Sequence, residues 1–202
     1  MAEHTAIAVL AKAPRPGLAK TRLIPALGAD GAAALAARLL ERAVAIACAA
    51  AIGPVTLWVA PDESHPLFAA ICSKFGVALA RQPDGDLGAR MHAAVVAANG
   101  PALVIGTDCP ALAVSHLHAA AETLQGHDAV LIPAEDGGYV LIGLRQPNEA
   151  LFSNLAWGLP SVTAETRRRL DSLGLSWREL DSLWDVDTPE DFERLRREGL
   201  LG

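Results

Sequence analysis

The sequence predicts an α/β fold: a single-domain, three-layer α/β/α arrangement around a mostly parallel mixed sheet with one antiparallel hairpin. Two observations predict it. Short apolar runs of strand length alternate with longer helical patterns along the whole chain, the order that builds parallel strands joined by helices. The exception is Glu135-Asp136-Gly137-Gly138, a turn sequence joining two apolar runs with no helix between them. The 202 residues suit one domain spanning 1–202, and a 51% hydrophobic content supplies a sizeable core.

Thr5–Ala11 reads as a buried strand, stopped by Pro14, Pro16 and Gly17. A long helix is expected over Asp30–Ala51, where Arg38, Glu41 and Arg42 share one face; this makes it amphipathic and not a membrane span. Val55–Val59 is a strand, His65–Phe75 a helix and Val77–Ala80 a short strand. Asp86 is placed to cap a helix over Leu87–Ala98. Leu103–Gly106 reads as a strand and Ser115–Leu124 as a helix. Ala129–Pro133 and Tyr139–Gly143 form the hairpin. Thr163–Leu173 is helical and Trp177–Leu180 a strand. The last helix begins at Thr188-Pro189-Glu190-Asp191, with Thr188 as cap, Pro189 in the first turn and Asp191 closing a capping box.

A net charge of −6 argues against a nucleic-acid surface, and the short run Arg167-Arg168-Arg169 is a solvated helix face. Cys48, Cys72 and Cys109 form neither a disulfide framework nor a zinc motif, which fits a reducing cytoplasm. The N-terminus lacks the pattern of a signal peptide. A cytoplasmic protein with no membrane partner is therefore expected. A homodimer is compatible with the sequence.

In such sheets ligands bind beyond the carboxyl ends of the strands, so motifs directly after strands carry the functional signal. Lys12-Ala13-Pro14-Arg15-Pro16-Gly17-Leu18-Ala19-Lys20-Thr21-Arg22 gathers four cations after the first strand of an acidic chain. Basic side chains and amides of a Gly/Pro-shaped loop suit phosphate oxygens. The loop has neither the Walker nor the dinucleotide glycine pattern. Gly106-Thr107-Asp108-Cys109-Pro110 ends another strand, and Asp108 there is expected to hold a divalent metal, Mg2+ or Mn2+. Magnesium favours one or two carboxylates completed by phosphates and water. Cys109 has no histidine tied to it and is read as packing, not as a nucleophile. In Asp136-Gly137-Gly138-Tyr139 the glycines either make the turn or let a substrate lie on the backbone, flanked by Asp136 and Tyr139. Asp185-Val186-Asp187 offers a second metal carboxylate. Alternation in an extended segment sends the two acids to opposite sides, so Asp187 is chosen over Asp185. Gly85-Asp86-Leu87-Gly88-Ala89-Arg90 opens a helix and offers amides and Arg90 to a phosphate or base. Trp157, in a loop, is placed at the edge of an acceptor site or in packing.

These five segments, AKAPRPGLAKTRL, GDLGARM, GTDCP, DGGYVLIGL and DVDTPED, stand in an order and spacing that resembles the DUF2064 family of the nucleotide-diphospho-sugar transferase (GT-A) superfamily. The pattern is similar to those of molybdenum-cofactor and phospholactate guanylyltransferases, and the likeness spans nearly the whole chain. It implies a Rossmann-like GT-A fold. It also implies a phosphate-binding loop from Lys12 to Arg22, in which Lys20 matches the basic residue that ends the relatives' glycine-rich loop. Asp108 matches the metal carboxylate, with Gly106 where glycosyltransferases carry the first acid of D-x-D.

The expected activity is that of a metal-dependent nucleotidyltransferase joining a nucleoside triphosphate to a small phosphorylated or hydroxylated acceptor. Alternatives are a glycosyltransferase using a nucleotide sugar, with Asp136 as base, and a non-catalytic nucleotide-binding protein. The expected catalytic residues are Lys20, Arg22 and Asp136. Nucleotide binding falls to Lys12, Arg15, Gly17, Lys20, Arg90, Asp108, Gly137, Gly138 and Tyr139, and metal binding to Asp108 and Asp187.

Overall fold

The computed structural model describes residues 4–200. Seven strands form one sheet: β1 (Ala6–Lys12), β2 (Val55–Ala60), β3 (Ala78–Arg81), β4 (Ala102–Ile105), β5 (Ala129–Pro133), β6 (Tyr139–Leu144) and β7 (Trp177–Glu179), in the order β3-β2-β1-β4-β6-β5-β7. Six α-helices accompany them: α1 (Ile24–Ala50), α2 (Pro66–Phe75), α3 (Leu87–Ala98), α4 (Val114–Gly126), α5 (Val162–Ser172) and α6 (Pro189–Glu198). The α/β class, the three layers and the hairpin are as the sequence predicts.

Strand alternation divides the core. Ile7, Val9, Leu103, Ile105, Val130 and Ile132 pack beneath α1, α2 and α4. Ala8, Val104, Leu131 and Ile142 face the other way, towards Met91 and Val95 of α3 and Leu170 of α5. The period of two along each strand gives both faces an apolar surface, which a sheet covered on both sides requires. A third cluster joins Leu23, Leu35 and Leu39 to Trp184, Val186 and Leu195, fixing α6 and the segment before it against the start of α1.

One feature differs from expectation. The first helix starts at Ile24, but Gly28 breaks it with φ 70° and ψ 168°, so its regular part begins close to the expected Asp30. Strand pairing adds the place of β6, which pairs antiparallel with both β4 and β5. Gly143 makes this fit possible. It lies in register with Leu103 on one side and Val130 on the other. A Cβ there would come within 2.7 Å of Leu103 Cδ2 and 2.6 Å of Val130 Cγ1. The helix caps are those expected: the Asp86 carboxylate accepts from Ala89 N–H at 2.8 Å, and Thr188 and Asp191 form the capping box of α6.

Candidate active site

β1 and β4 are parallel neighbours, with Val9 opposite Ile105, so the loops that follow them leave the sheet side by side. These are the Lys12–Arg22 loop and the Gly106–Pro110 loop. β6 runs the other way, which brings its first residue, Tyr139, to the same edge. Beyond β7 the chain continues along this edge: Ala134 and Leu183 form a parallel bridge, and Val186 N–H donates to Asp108 C=O at 2.9 Å. Thus four segments far apart in sequence meet at one end of the sheet because of strand direction.

Their meeting point is a crevice of about 480 Å3, lined among others by Lys12, Lys20, Arg22, Arg90, Asp108 and Asp187. Lys20 is its most constrained residue. It sits in left-handed backbone (φ 47°, ψ 47°) at the head of a 3-10 turn over Thr21–Leu23. Its Nζ donates to Val186 C=O at 2.6 Å and Asp187 Oδ1 at 3.0 Å, and lies 2.6 Å from Asp108 Oδ1. The Lys20 side chain is 6% exposed, whereas those of Asp108 and Asp187 are 48% and 41% exposed. Burial works to lower the pKa of this ammonium; the charges of Asp108 and Asp187 outweigh it and hold the pKa above the usual lysine value.

Asp185 belongs to the same group. Burial pushes its carboxyl up to about 7, and the nearby charges of Asp108, Asp136 and Asp187 push the same way against Lys20. Asp187 lines the crevice and pairs with Lys20, whereas Asp185 is not part of that lining. Cys109, beside them, is pushed up to about 12, first by burial and then by the charge of Asp185. It is a protonated thiol and no nucleophile.

Several expected residues lie elsewhere. Arg15 turns away from the crevice, with its guanidinium 3.3 Å from Ser64 Oγ and 3.9 Å from Asp62. Gly17 is exposed and does not line the crevice. A Cβ on Gly137 would stand 2.1 Å from Pro160 C=O, and Thr163 N–H donates to Gly137 C=O at 2.9 Å. The chain's own loop therefore occupies the space Gly137 opens, while a Cβ on Gly138 would lie 3.2 Å from Asp136 Oδ1. Asp136 is exposed, accepts from Gly138 N–H at 2.9 Å and lies outside the crevice lining. Tyr139 lines the crevice, but its hydroxyl points to Met91 Sδ at 3.8 Å, its ring meets Trp157 edge-on at 6.3 Å, and burial raises its pKa. Trp157 is thus a packing residue, resting over Gly88.

One residue escaped the sequence reading. Gln82 follows β3, is 6% exposed, and lines the crevice. Its Nε2 donates to Ala11 C=O at 3.0 Å and Trp58 C=O at 2.9 Å. Both amide hydrogens are committed, so the carbonyl oxygen is what Gln82 has left to offer a ligand. Its position directly after a strand was the available signal.

The donor set fits a magnesium- or manganese-type ion in one specific sense. Among the described residues no group of three or more His, Cys, Asp or Glu is placed to hold a metal. Two carboxylates converge on one cationic group, the number such an ion takes when phosphates and water complete its shell. No described helix is long and apolar enough to cross a membrane.

The family described as an uncharacterized protein conserved in bacteria, DUF2064, matches residues 43–159. No curated protein matches the sequence. Among solved structures, a candidate nucleotide-diphospho-sugar transferase from Desulfovibrio desulfuricans G20 superposes with a TM-score of 0.88 at 28% identity, covering 96% of this chain and 87% of that one. The 4-diphosphocytidyl-2C-methyl-D-erythritol synthase of Anaerococcus prevotii superposes at 0.65 with 11% identity, covering 96% of each chain. Rv0371C of Mycobacterium tuberculosis, solved with manganese, superposes at 0.56 with 17% identity, covering 100% of this chain and 99% of that one. The last two likenesses establish the shared fold.

Proposed function

The chain belongs to the DUF2064 family, and from that premise we propose that it is a metal-dependent nucleotidyltransferase acting on a nucleoside triphosphate and a small phosphorylated or hydroxylated acceptor. The observation that carries this reading is the convergence of Asp108 and Asp187 on Lys20 at the edge of a crevice that also holds Lys12, Arg22 and Arg90. Two carboxylates beside four cations suit a metal–polyphosphate better than an uncharged ligand. Its fold neighbours support the class: one is a diphosphocytidyl synthase, and another is a manganese complex.

In this reading Asp108 and Asp187 would hold the divalent ion, Mg2+ or Mn2+, which would supply neutralisation of phosphate charge. Lys12, Arg22 and Arg90 bind the remaining phosphate charge from the crevice wall. An oxygen of the acceptor forms a bond to the α-phosphorus as the bond to the β-phosphate's bridging oxygen breaks, and pyrophosphate leaves. Gln82 presents its carbonyl oxygen to a donor on the nucleobase. The proton of a hydroxyl acceptor passes to solvent water, since Asp136 lies outside the crevice.

The test is pyrophosphate release. Each of the four common ribonucleoside triphosphates is incubated with Mg2+ and a panel of phosphorylated and hydroxylated acceptors. Release that needs both partners supports the proposal; none under any condition counts against it. A second reading, glycosyl transfer from a nucleotide sugar, is favoured by the name of the 28%-identical neighbour. Calorimetry separates the two: binding of nucleotide sugars without binding of triphosphates selects glycosyl transfer.

A further inference from the structure

We infer that Lys20 is the built-in counter-ion of the proposed metal site, so that the site accepts a divalent cation together with a polyphosphate and disfavours the free ion. The inference rests on the reading of Asp108 and Asp187 as metal ligands and adds a rule for how that site fills.

The geometry carries it. An ammonium has three hydrogens, and Lys20 has three partners: Asp108 Oδ1 at 2.6 Å, Asp187 Oδ1 at 3.0 Å and Val186 C=O at 2.6 Å. Its capacity is filled by the same two carboxylates that a metal would need. A divalent ion brought to those oxygens meets a like charge in direct contact with them. Lys20 is also poorly placed to yield alone. Its side chain is 6% exposed, so leaving both carboxylates without a new anion would strand a largely buried ammonium. The residue's backbone is fixed as well: its carbonyl accepts from Leu23 N–H at 2.8 Å, and Leu23 is fully buried.

A polyphosphate removes this obstacle. It brings several negative charges into a crevice that Lys20 already lines, so the ammonium can exchange carboxylate for phosphate oxygen without losing its counter-charge. The freed carboxylates then take the cation. Metal and polyphosphate each make the other's binding easier, and by linkage the effect is reciprocal.

The experiment titrates Mn2+ alone, with no nucleotide, and reads free Mn2+ by electron paramagnetic resonance. Three Lys20 variants are compared with the parent protein. Lys20→Met and Lys20→Gln remove the charge, and Lys20→Arg keeps it; circular dichroism confirms which are folded. The expected result is about tenfold tighter Mn2+ binding in whichever uncharged variants fold, with Lys20→Arg as weak as the parent. Adding Asp108→Asn to an uncharged variant abolishes the gain. Equal Mn2+ affinity in the parent and all Lys20 variants, lost on Asp108→Asn, overturns the inference and leaves the metal site standing. Absence of Mn2+ binding in every protein, including the parent supplied with tripolyphosphate, removes the metal site and this inference with it.

Discussion

Val186 N–H donates to the carbonyl of Asp108 at 2.9 Å, and this one backbone bond ties the acidic segment before α6 to the loop after β4. Val186 itself is fully buried against Leu23 and Trp184. Its neighbours Asp185 and Asp187 are thereby held beside Asp108 by a buried apolar side chain. The proposed site is assembled by packing as much as by charge.

Asp108→Asn removes a proposed metal ligand and one arm of the Lys20 ion pair. We expect transferase turnover to fall by about a hundredfold or more, the scale of losing a charge-stabilising group at a phosphoryl centre. Asp187→Asn should fall in the same direction. Steady-state pyrophosphate release measures both; turnover within twofold of the parent in either variant removes that residue from the metal site.

Gln82→Ala should weaken nucleotide binding by about 5- to 50-fold, the worth of one lost buried hydrogen bond, while leaving inorganic tripolyphosphate binding unchanged. Calorimetry with both ligands separates a contact to the base from a general disturbance. An equal loss for both would place Gln82 in support of the β1 loop instead.

Asp185 makes stability depend on pH. Its carboxyl pKa stands at about 7 when folded, against 3.8 for the ordinary group. The folded state therefore binds the extra proton between these values, and stability falls as pH rises from about 4 to about 7. Asp185→Asn should flatten that slope and raise stability at pH 8 by on the order of 1–3 kcal/mol. Urea unfolding of the metal-free protein at pH 5 and pH 8 tests this. A variant no more stable than the parent at pH 8 contradicts it.

Cys109 should be inert in the native protein. A pKa pushed up to about 12, against 9.0 for the ordinary thiol, lowers the thiolate fraction at pH 8 by about a thousandfold. Mass spectrometry after iodoacetamide treatment should show Cys109 labelled only after unfolding. Rapid native labelling would mean that the loop after β4 opens.

Gly137→Ala should cost about 2–4 kcal/mol. It combines a strained φ of +91° with a Cβ 2.1 Å from Pro160 C=O. Thermal unfolding reads the loss, and a melting temperature within 1 °C or so of the parent would show that the Pro160 loop can move aside.

Local pattern revealed the elements but not their neighbours. β5 and α3 have the bounds that hydrophobic period and the Asp86 cap predict, because those signals act within a few residues. The position of β6 between β4 and β5 depends on which apolar strands fit side by side, and only Gly143 hinted at a close approach. The site shows the same division. Asp108, Lys12, Lys20 and Arg22 line the crevice because strand ends are where the chain leaves the sheet, and Arg90 and Asp187 join them from α3 and the segment before α6. The direction of Arg15, the use of Gly137 by the Pro160 loop and the committed amide of Gln82 depend on partners 23 to 71 residues away in sequence. No local pattern contains them.

The central antiparallel strand has a bearing on folding of the chain. β4 is buried along its whole length, and beyond β1 it has only β6 as a partner. Until β6 docks, β4 presents an unpaired edge of Ala102, Leu103, Val104 and Ile105. Such an edge is open to pairing with another chain. The six residues Tyr139–Leu144 close it and join β5 to the sheet at the same time. A folding chain is therefore vulnerable to aggregation until this single short strand is in place, and a substitution that slows its docking would prolong that interval.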